Sequence, residues 1–565
     1  MNTKLAYSLT AFVGLFFAVF FLYPAVVVLK EAFYVEGQGF TFSFVGEVFK
    51  NPVYTEGLWN AFALGVTSTI ASVVIALPLA ILGHRYLFPF KKSLSALILI
   101  PLVLPPFVGA VGVKQILGLQ GALNAVLVKF GLVDAAMPID WLGDSRFWGV
   151  VIMNALHLYP ILYMNIAASL SNIDPAMEQV AQNLGCPPWR RFLRITLPLT
   201  TPGIFAGGAI VFIWSFTELG VPLVFDYTRV APVQVYDGIK DLGSNPFPYA
   251  LVAIMLVVST LVFLLSKAVL GRSKLGTAPR PKGKNIEVRP KKGKAWLCTL
   301  FFLGVFFIAS LPHAGVIILS LAHDWYATIL PEAWTTSHYQ EALSHPLVVP
   351  SIQNSLFYAS MATLVDLILG VAIAWVIVRS SIRGRAFLDA LVMLPLAVPG
   401  LVMAFGYLAL SQDGEAFRFL VQGATENPTW LLVVAYAVRR LPYVVRSAVA
   451  GLQQSNIALE EAARSLGASP ARTLRRVSLP LLGANLIAGG ILAFAFAMLE
   501  VSDSLILAQQ SEHFPITKAI YSLISMLGNG YELASALGVW AMVFLGISII
   551  GAVVLGGKKG GLFRM

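Results

Sequence analysis

The sequence predicts an all-α polytopic membrane protein of about twelve transmembrane helices, arranged as two six-helix halves in parallel repeat. Three observations lead there. The 565 residues are 58% hydrophobic and 12% charged, with mean hydropathy +0.78, whereas a soluble chain carries about 25% charged residues. Apolar runs of about 20 residues recur along the chain, each long enough to cross a hydrocarbon layer of about 30 Å as a helix. The third observation is a polar segment that occurs twice, in one register, in an otherwise apolar sequence. The alternation over segments of about ten residues that marks a membrane barrel is absent.

The apolar runs fall at about 6–29, 60–83, 94–118, 147–170, 203–224 and 247–270, and again at about 297–321, 355–378, 388–410, 430–452, 485–508 and 534–556. The first, after Lys4, is too long for a signal-peptide core and no small-x-small cleavage site follows it, so it reads as a retained transmembrane helix. Residues 1–270 form a first transmembrane domain with its polar segment at 174–199. Residues 296–565 form a second, with its segment at 456–481. Between them, 271–295 is a Gly- and Pro-broken linker with nine Lys or Arg and a single acid, Glu287. It reads as a solvated cytoplasmic connection that can meet anionic lipid head groups.

The net charge of +11 would suggest nucleic acid as a partner in a soluble protein. Here its origin is the enrichment of Lys and Arg in cytoplasmic loops. The stretches 84–92, 379–385, both polar segments, the linker and the C-terminal tail are basic, and 31–58, 223–246 and 411–429 are acidic or nearly balanced. Both termini are therefore expected on the cytoplasmic side, and no nucleic-acid partner is expected. The two cysteines, Cys186 and Cys298, suggest neither a disulfide framework nor a metal site.

The repeat extends through both halves. "WNAFALGVTSTIASVVIALPLAI" aligns with "QNSLFYASMATLVDLILGVAIAW", pairing Asn60 with Asn354. "LILIPLVLPPFVGA" aligns with "LVMLPLAVPGLVMA", pairing Pro101 with Pro395 and Pro105 with Pro399 at a spacing of 294. The polar segments, "EQVAQNLGCPPWRRFLRITLPL" and "EEAARSLGASPARTLRRVSLPL", are spaced by 282. The first half thus holds 12 additional residues between its third and fourth spans. Six spans per half give both copies one orientation, a parallel repeat about an axis along the membrane normal, with a shared pathway expected between the halves.

Each polar segment reads as a helix-turn-helix. Asp174 and Asn456 can cap the first turn. Pro175 suits the first helical position. Glu178, Ala181, Gln182 and Gly185, and Glu460, Ala463, Arg464 and Gly467, follow helical spacing. Gly185 and Gly467 stand where a left-handed cap ends the helix. Pro188 and Pro470 begin a second short helix, with Ser469 as its cap in the second copy, and three arginines fill it in each copy. Pro198 and Pro480 disfavour helix at the residue before them and are expected to end the element ahead of the next span. A loop that needed only charge would not keep this pattern twice.

These segments resemble the EAA motif of inner-membrane subunits of bacterial ATP-binding-cassette importers: Glu-Ala-Ala, three residues, Gly, about nine residues, then Ile-x-Leu-Pro. The second copy has Val477 at the Ile position, and the first has Ile195 there and Val180 in place of the first Ala. The resemblance covers nearly the whole chain. The fused halves look most like ferric iron permeases, with thiamine permeases close behind and polyamine, phosphonate or other small-solute import as further alternatives. It implies a type I, binding-protein-dependent permease in the bacterial inner membrane. Two copies of a separate ATPase subunit would bind ATP-Mg and dock on the segments through Glu178, Ala181, Gly185 and Pro198, and through Glu460, Ala463, Gly467 and Pro480. The two glutamates would contact the ATPase surface. A periplasmic or surface-anchored solute-binding protein would deliver the solute, and the lipid bilayer is the remaining partner.

No phosphate loop is present; "GAVVLGGKKG" at 551–560 lacks Lys and the following Ser or Thr at the required positions. No zinc-protease motif, nucleophile elbow or ligand-spaced Cys/His cluster is found. The reading is of a chain without catalytic residues, bound metal or cofactor of its own. An ion-coupled secondary transporter of twelve helices is the competing class, but 84–92 and 379–385 do not carry its loop signature.

Ionisable groups inside spans are candidates for function, because lipid exposure costs them heavily. Glu218 and Glu500 align at the spacing of 282. They line an outer gate or meet a cationic solute, or each is hydrogen-bonded within its own half. Arg439 and Arg440, with Arg446 beyond, have His157, Leu158 and Met164 as counterparts. Arg439 and Arg440 either greet an anion in a wet cavity or pair with Asp366, Glu500 or Asp503. His157 is expected to be a satisfied bundle histidine.

Overall fold

A computed structural model describes residues 3–35, 39–143, 146–241, 245–272, 288–421 and 427–556. The described residues are overwhelmingly helical, with one two-stranded ribbon, Tyr34–Val35 against Gly39–Phe40. Ten helices are long and apolar enough to cross a membrane, and an eleventh span is counted if the bent pair Arg385–Leu396 and Gly400–Leu410 is one element. The expected span at 430–452 is present as Thr429–Gln454. It falls outside that set because Arg439, Arg440 and Arg446 all sit in it. Residues 273–287 of the basic linker lie outside the described residues. Its end is already helical, since Lys292–Leu321 starts before the boundary expected at 295.

The chain forms two compact units. One comprises residues 1–47, 238–253 and 339–565; the other comprises 48–237 and 254–338. These are not the two sequence repeats. The first helix of each repeat belongs to the unit that holds the body of the other.

In the first unit the helical stretch Lys4–Phe33 packs on Gly400–Leu410. Tyr407 donates to the Phe20 carbonyl at 2.5 Å, and a side chain at Gly406 would meet the Pro24 carbonyl. In the second unit Lys292–Leu321 packs on Pro106–Leu117. There Gly112 and Gly315 press backbone to backbone, so that a Cβ on Gly315 would stand 2.6 Å from the Gly112 carbonyl oxygen. Gly112 and Gly406 are 294 residues apart, so the repeat uses one device twice. Without a hydrophobic drive between helices in lipid, small residues that let backbones approach supply the contact.

Both copies break their third span. In one, Lys91–Leu97 is followed by a 3-10 turn, Ile100–Val103, and then Pro106–Leu117. In the other, Leu394–Leu396 is the turn, and the two arms meet at 92°. The aligned prolines explain the break: Pro101 and Pro395 lie in the turns, and Pro105 and Pro399 are the N-caps of the helices that follow. Proline lacks the N–H and its ring clashes with the preceding turn.

Asn60 and Asn354 also act alike. Asn60 Nδ2 donates to the Arg229 carbonyl at 2.7 Å, and Asn354 Nδ2 donates to the Glu512 and Phe514 carbonyls at 2.8 and 3.2 Å. The additional residues of the first half wrap around the buried Asn124. Its amide donates to the carbonyls of Gly118, Leu119 and Ile139, and its oxygen accepts from the Trp141 indole.

Overpacking a helix contact of this kind costs about 1–3 kcal/mol. Gly315→Ala is expected to lower the thermal midpoint of the detergent-purified protein, whereas Gly304→Ala on the same helix, with nothing within 4 Å, is expected to leave it unchanged.

Candidate functional site

The two polar segments fold almost superimposably in their local bonding. Asp174 accepts from Ala176 N at 2.9 Å and starts Pro175–Asn183; Asn456 accepts from Ala458 N at 3.0 Å and starts Ile457–Ser465. Each helix ends in a left-handed glycine, Gly185 at φ +74° and Gly467 at φ +82°. The glycine N–H returns to Gln182 or Arg464, and the next N–H returns to the carbonyl of Ala181 or Ala463. This pair of bonds satisfies the last helical carbonyls, and its geometry admits glycine at no steric cost. The second helices are Pro188–Arg191 and Pro470–Thr473, the latter capped by Ser469.

Pro198 and Pro480 do not end the element. The short helices run through π-turns, Phe192–Thr196 and Leu474–Ser478, into the long helices Leu197–Phe216 and Leu479–Met498. Leu197 N–H bonds to the Phe192 carbonyl and Leu479 N–H to that of Leu474. Each is a step of five residues, and the wider turn makes room for the proline ring just after it.

The glutamates are tied within their own chain. Glu178 Oε1 accepts from Arg85 Nη2 and from Thr196 Oγ1, both at 2.5 Å. Glu460 is only 2% exposed and accepts from Arg379 Nε at 3.2 Å. Both carboxylates thus engage an arginine of their own chain, Glu460 buried and Glu178 still partly exposed. The outward surface is apolar and basic. Leu184 and Leu466, one residue before each glycine, are 81% and 89% exposed, with Met177, Trp189, Ile457 and Leu459 also exposed and Arg190, Arg194, Arg472, Arg475 and Arg476 around them. The leucines repeat in both copies, and that repetition was the signal available for them in the sequence.

The aligned acids Glu218 and Glu500 share a local task. Glu218 accepts from Gly220 N at 3.1 Å and Val221 N at 3.2 Å, at the start of Gly220–Val224. Glu500 accepts from Asp503 N at 3.5 Å, at the start of Ser502–Leu507. Beyond that the copies diverge. Glu500 is buried and takes Arg439 Nη1 at 2.5 Å through one oxygen and Arg440 Nη2 through the other, while Arg439 also reaches Asp503 Oδ2 at 3.3 Å. Asp366 is fully buried, and neither of its oxygens has a hydrogen-bond partner among the described residues. Arg446 pairs with Asp389 at 3.1 Å. At the position equivalent to Arg439, His157 Nδ1 contacts the Pro101 carbonyl at 2.8 Å, within the broken span. Arg439 lies against Gly400, where its own broken span resumes. Among the described residues no three or more His, Cys, Asp or Glu are grouped to hold a metal ion.

Two outcomes follow from this geometry. Burial pushes the Glu178 carboxyl up, but the Thr196 hydroxyl and the Arg85 guanidinium outweigh it and hold the group below its ordinary 4.5. A lowered folded value contributes stability above the unfolded value and loses it as pH falls. The gap in melting temperature between the natural protein and Glu178→Gln, open at pH 7, is therefore expected to close as pH drops below 4.5. Removing one partner of a buried ion pair costs about 3–5 kcal/mol. Glu500→Gln is thus expected to depress the midpoint strongly.

Comparison with known proteins accounts for the doubling. The model of the family "Binding-protein-dependent transport system inner membrane component" matches residues 72–275 and 366–556. The chain is 27% identical over 497 residues to the ferric transport system permease protein FbpB of Actinobacillus pleuropneumoniae, covering 86% of this chain and 69% of that one. It is 32% identical over 218 residues to the molybdenum transport system permease protein ModB of Haemophilus influenzae, covering 37% of this chain and 91% of that one. A solved bacterial ABC transporter involved in import of the acidic polysaccharide alginate has a chain with 18% identity and a TM-score of 0.39, over 47% of this chain and 95% of that one. Matched twice and over more than half its length, the chain belongs to the family of binding-protein-dependent transport system inner membrane components.

Proposed function

We propose that this chain is the permease of an ATP-driven importer of ferric iron, with the two polar segments as the docking elements for two ATPase subunits. The observation that carries the reading is the pair of capped helices, each presenting a nearly fully exposed leucine beside arginines, repeated in one register in the two halves. Exposed apolar residues rimmed by polar ones mark protein contacts. Ferric iron as cargo is supported by similarity along most of the length to permeases named for ferric transport, one of 27% and another of 23% identity.

In this reading ATP and Mg bind the partner subunits, and a solute-binding protein meets the opposite face. Both termini lie in the cytoplasm, as the charge distribution favours. Ala181, Gly185 and Pro198, with Ala463, Gly467 and Pro480, shape the docking surface. Glu178 and Glu460 act from beneath it. Arg439, Arg440 and Glu500 serve the broken second-half span through their mutual pairing, and Glu218, less buried than Glu500, is the acid that meets a solute.

The test is reconstitution in proteoliposomes with the ATPase and an iron-loaded binding protein. Radioactive ferric iron is expected to enter only with ATP and both partners present, and Leu184→Asp with Leu466→Asp is expected to abolish co-purification of the ATPase. Uptake driven by an ion gradient alone, with no co-purifying ATPase, overturns the importer reading. ATP-dependent uptake of molybdate or thiamine in preference to iron overturns the cargo.

A further inference from the structure

Arg85 is the last helical residue of Pro52–Arg85, and Arg379 is the last of Val348–Arg379. They are 294 residues apart, the spacing of the aligned prolines, so they are equivalents in the repeat. The residues after them differ, Tyr-Leu-Phe in one copy and Ser-Ser-Ile in the other, yet both side chains end on the glutamate of the polar segment. Arg85 bonds Glu178 and Thr196. Arg379 bonds Glu460, the Leu452 carbonyl at 3.0 Å and the Ser455 hydroxyl at 2.7 Å, gathering three elements at one guanidinium.

The segments have little else beneath them. Pro175–Asn183 has no buried residue, and in Ile457–Ser465 the buried residue is Glu460 itself. The charged fork is therefore the chief attachment of each short helix to the long one. At the far end of the same long helices stand Asn60 and Asn354, each 25 residues before its arginine, or about 37 Å at about 1.5 Å per residue. They are tied to the loop carbonyls of Arg229, and of Glu512 and Phe514.

We propose that Arg85 and Arg379 are positioning residues that lock each polar segment to a helical rod, so that displacement of the segment is delivered to the opposite face of the membrane. The inference rests on the reading of the segments as docking elements for the ATPase. The second copy is the firmer lock, because its pair is buried (8% and 3% side-chain exposure) while the first is partly open (21% and 26%). Buried pairs lose more when one partner is removed.

Two measurements test it. In the reconstituted transporter, solute imported per ATP hydrolysed is expected to fall about tenfold in Arg379→Met, and Glu460→Gln added to it is expected to cost no more, as residues acting through one bond are non-additive. An unchanged ratio, or losses that multiply, overturns the proposal. The second measurement needs no ATPase, and so separates failure of the lock from failure of the docking reading. Cys186 lies just after Gly185 and is partly exposed, while Cys298 is buried. In a Cys298→Ser background, maleimide modification of Cys186 is expected to run several-fold faster in Arg85→Met than in the parent. The charge-exchanged pair Arg85→Glu with Glu178→Arg, at a site open enough to accept it, is expected to restore the slow rate. Equal rates in parent and Arg85→Met, or a fast rate in the exchanged pair, overturn the proposal.

Discussion

A hydrocarbon layer offers no water to an unpaired backbone group, so every interruption of a helix within it must be answered by the protein. Much of this structure depends on that constraint. Prolines open the third span of both halves, and the freed carbonyls are met from neighbouring helices: Pro101 by His157 and Ile98 by the Tyr159 hydroxyl at 2.6 Å. The long helices that follow each polar segment also end inside the protein, and the short helices that resume beyond them are capped by Glu218 and Glu500. Charge inside the bilayer region is here, in large part, a consequence of broken backbone.

The same constraint explains why the halves differ while keeping one fold. An aligned break can be filled by a neutral ring or by a guanidinium, and the chain uses one of each. The imidazole needs no counter-ion. The guanidinium does, and the second half supplies Glu500 and Asp503 around Arg439 and Arg440. The chemical asymmetry between the halves is thus local to one helix end and its support, while the helix order and the caps stay common to both.

Much of the architecture was legible in the sequence because it rests on local chemistry. Proline, glycine and N-cap residues act within a few positions of themselves, so the caps at Asp174 and Asn456 and the left-handed turns at Gly185 and Gly467 could be read directly, whereas the aligned prolines Pro101, Pro105, Pro395 and Pro399 were seen without the break they make in spans read as continuous. Pro198 and Pro480 were misread because a π-turn is a third option between helix and its end, and spacing alone does not reveal it. The pairing of Glu178 and Glu460 with arginines was hidden for a different reason. Their arginine partners lie 93 and 81 residues away, and only the repeat, by placing an arginine at the end of both second spans, hinted at them. The lodging of each repeat's first helix against the body of the other left no mark in hydropathy at all.

That exchange of first helices bears on how the protein is made. Lys4–Phe33 is made long before its partner, because Tyr407, which grips its Phe20 carbonyl, is 387 residues further along the chain. Through most of synthesis this helix resides in the bilayer without its packing partner, held there by its own hydropathy. Lys292–Leu321, by contrast, emerges when Pro106–Leu117 is already in place. One compact unit can thus close while the chain is still being translated, and the other must wait for the second half to arrive. The nascent protein is consequently most exposed to mispairing and to membrane proteases at Lys4–Phe33, the helix that waits longer for its partner.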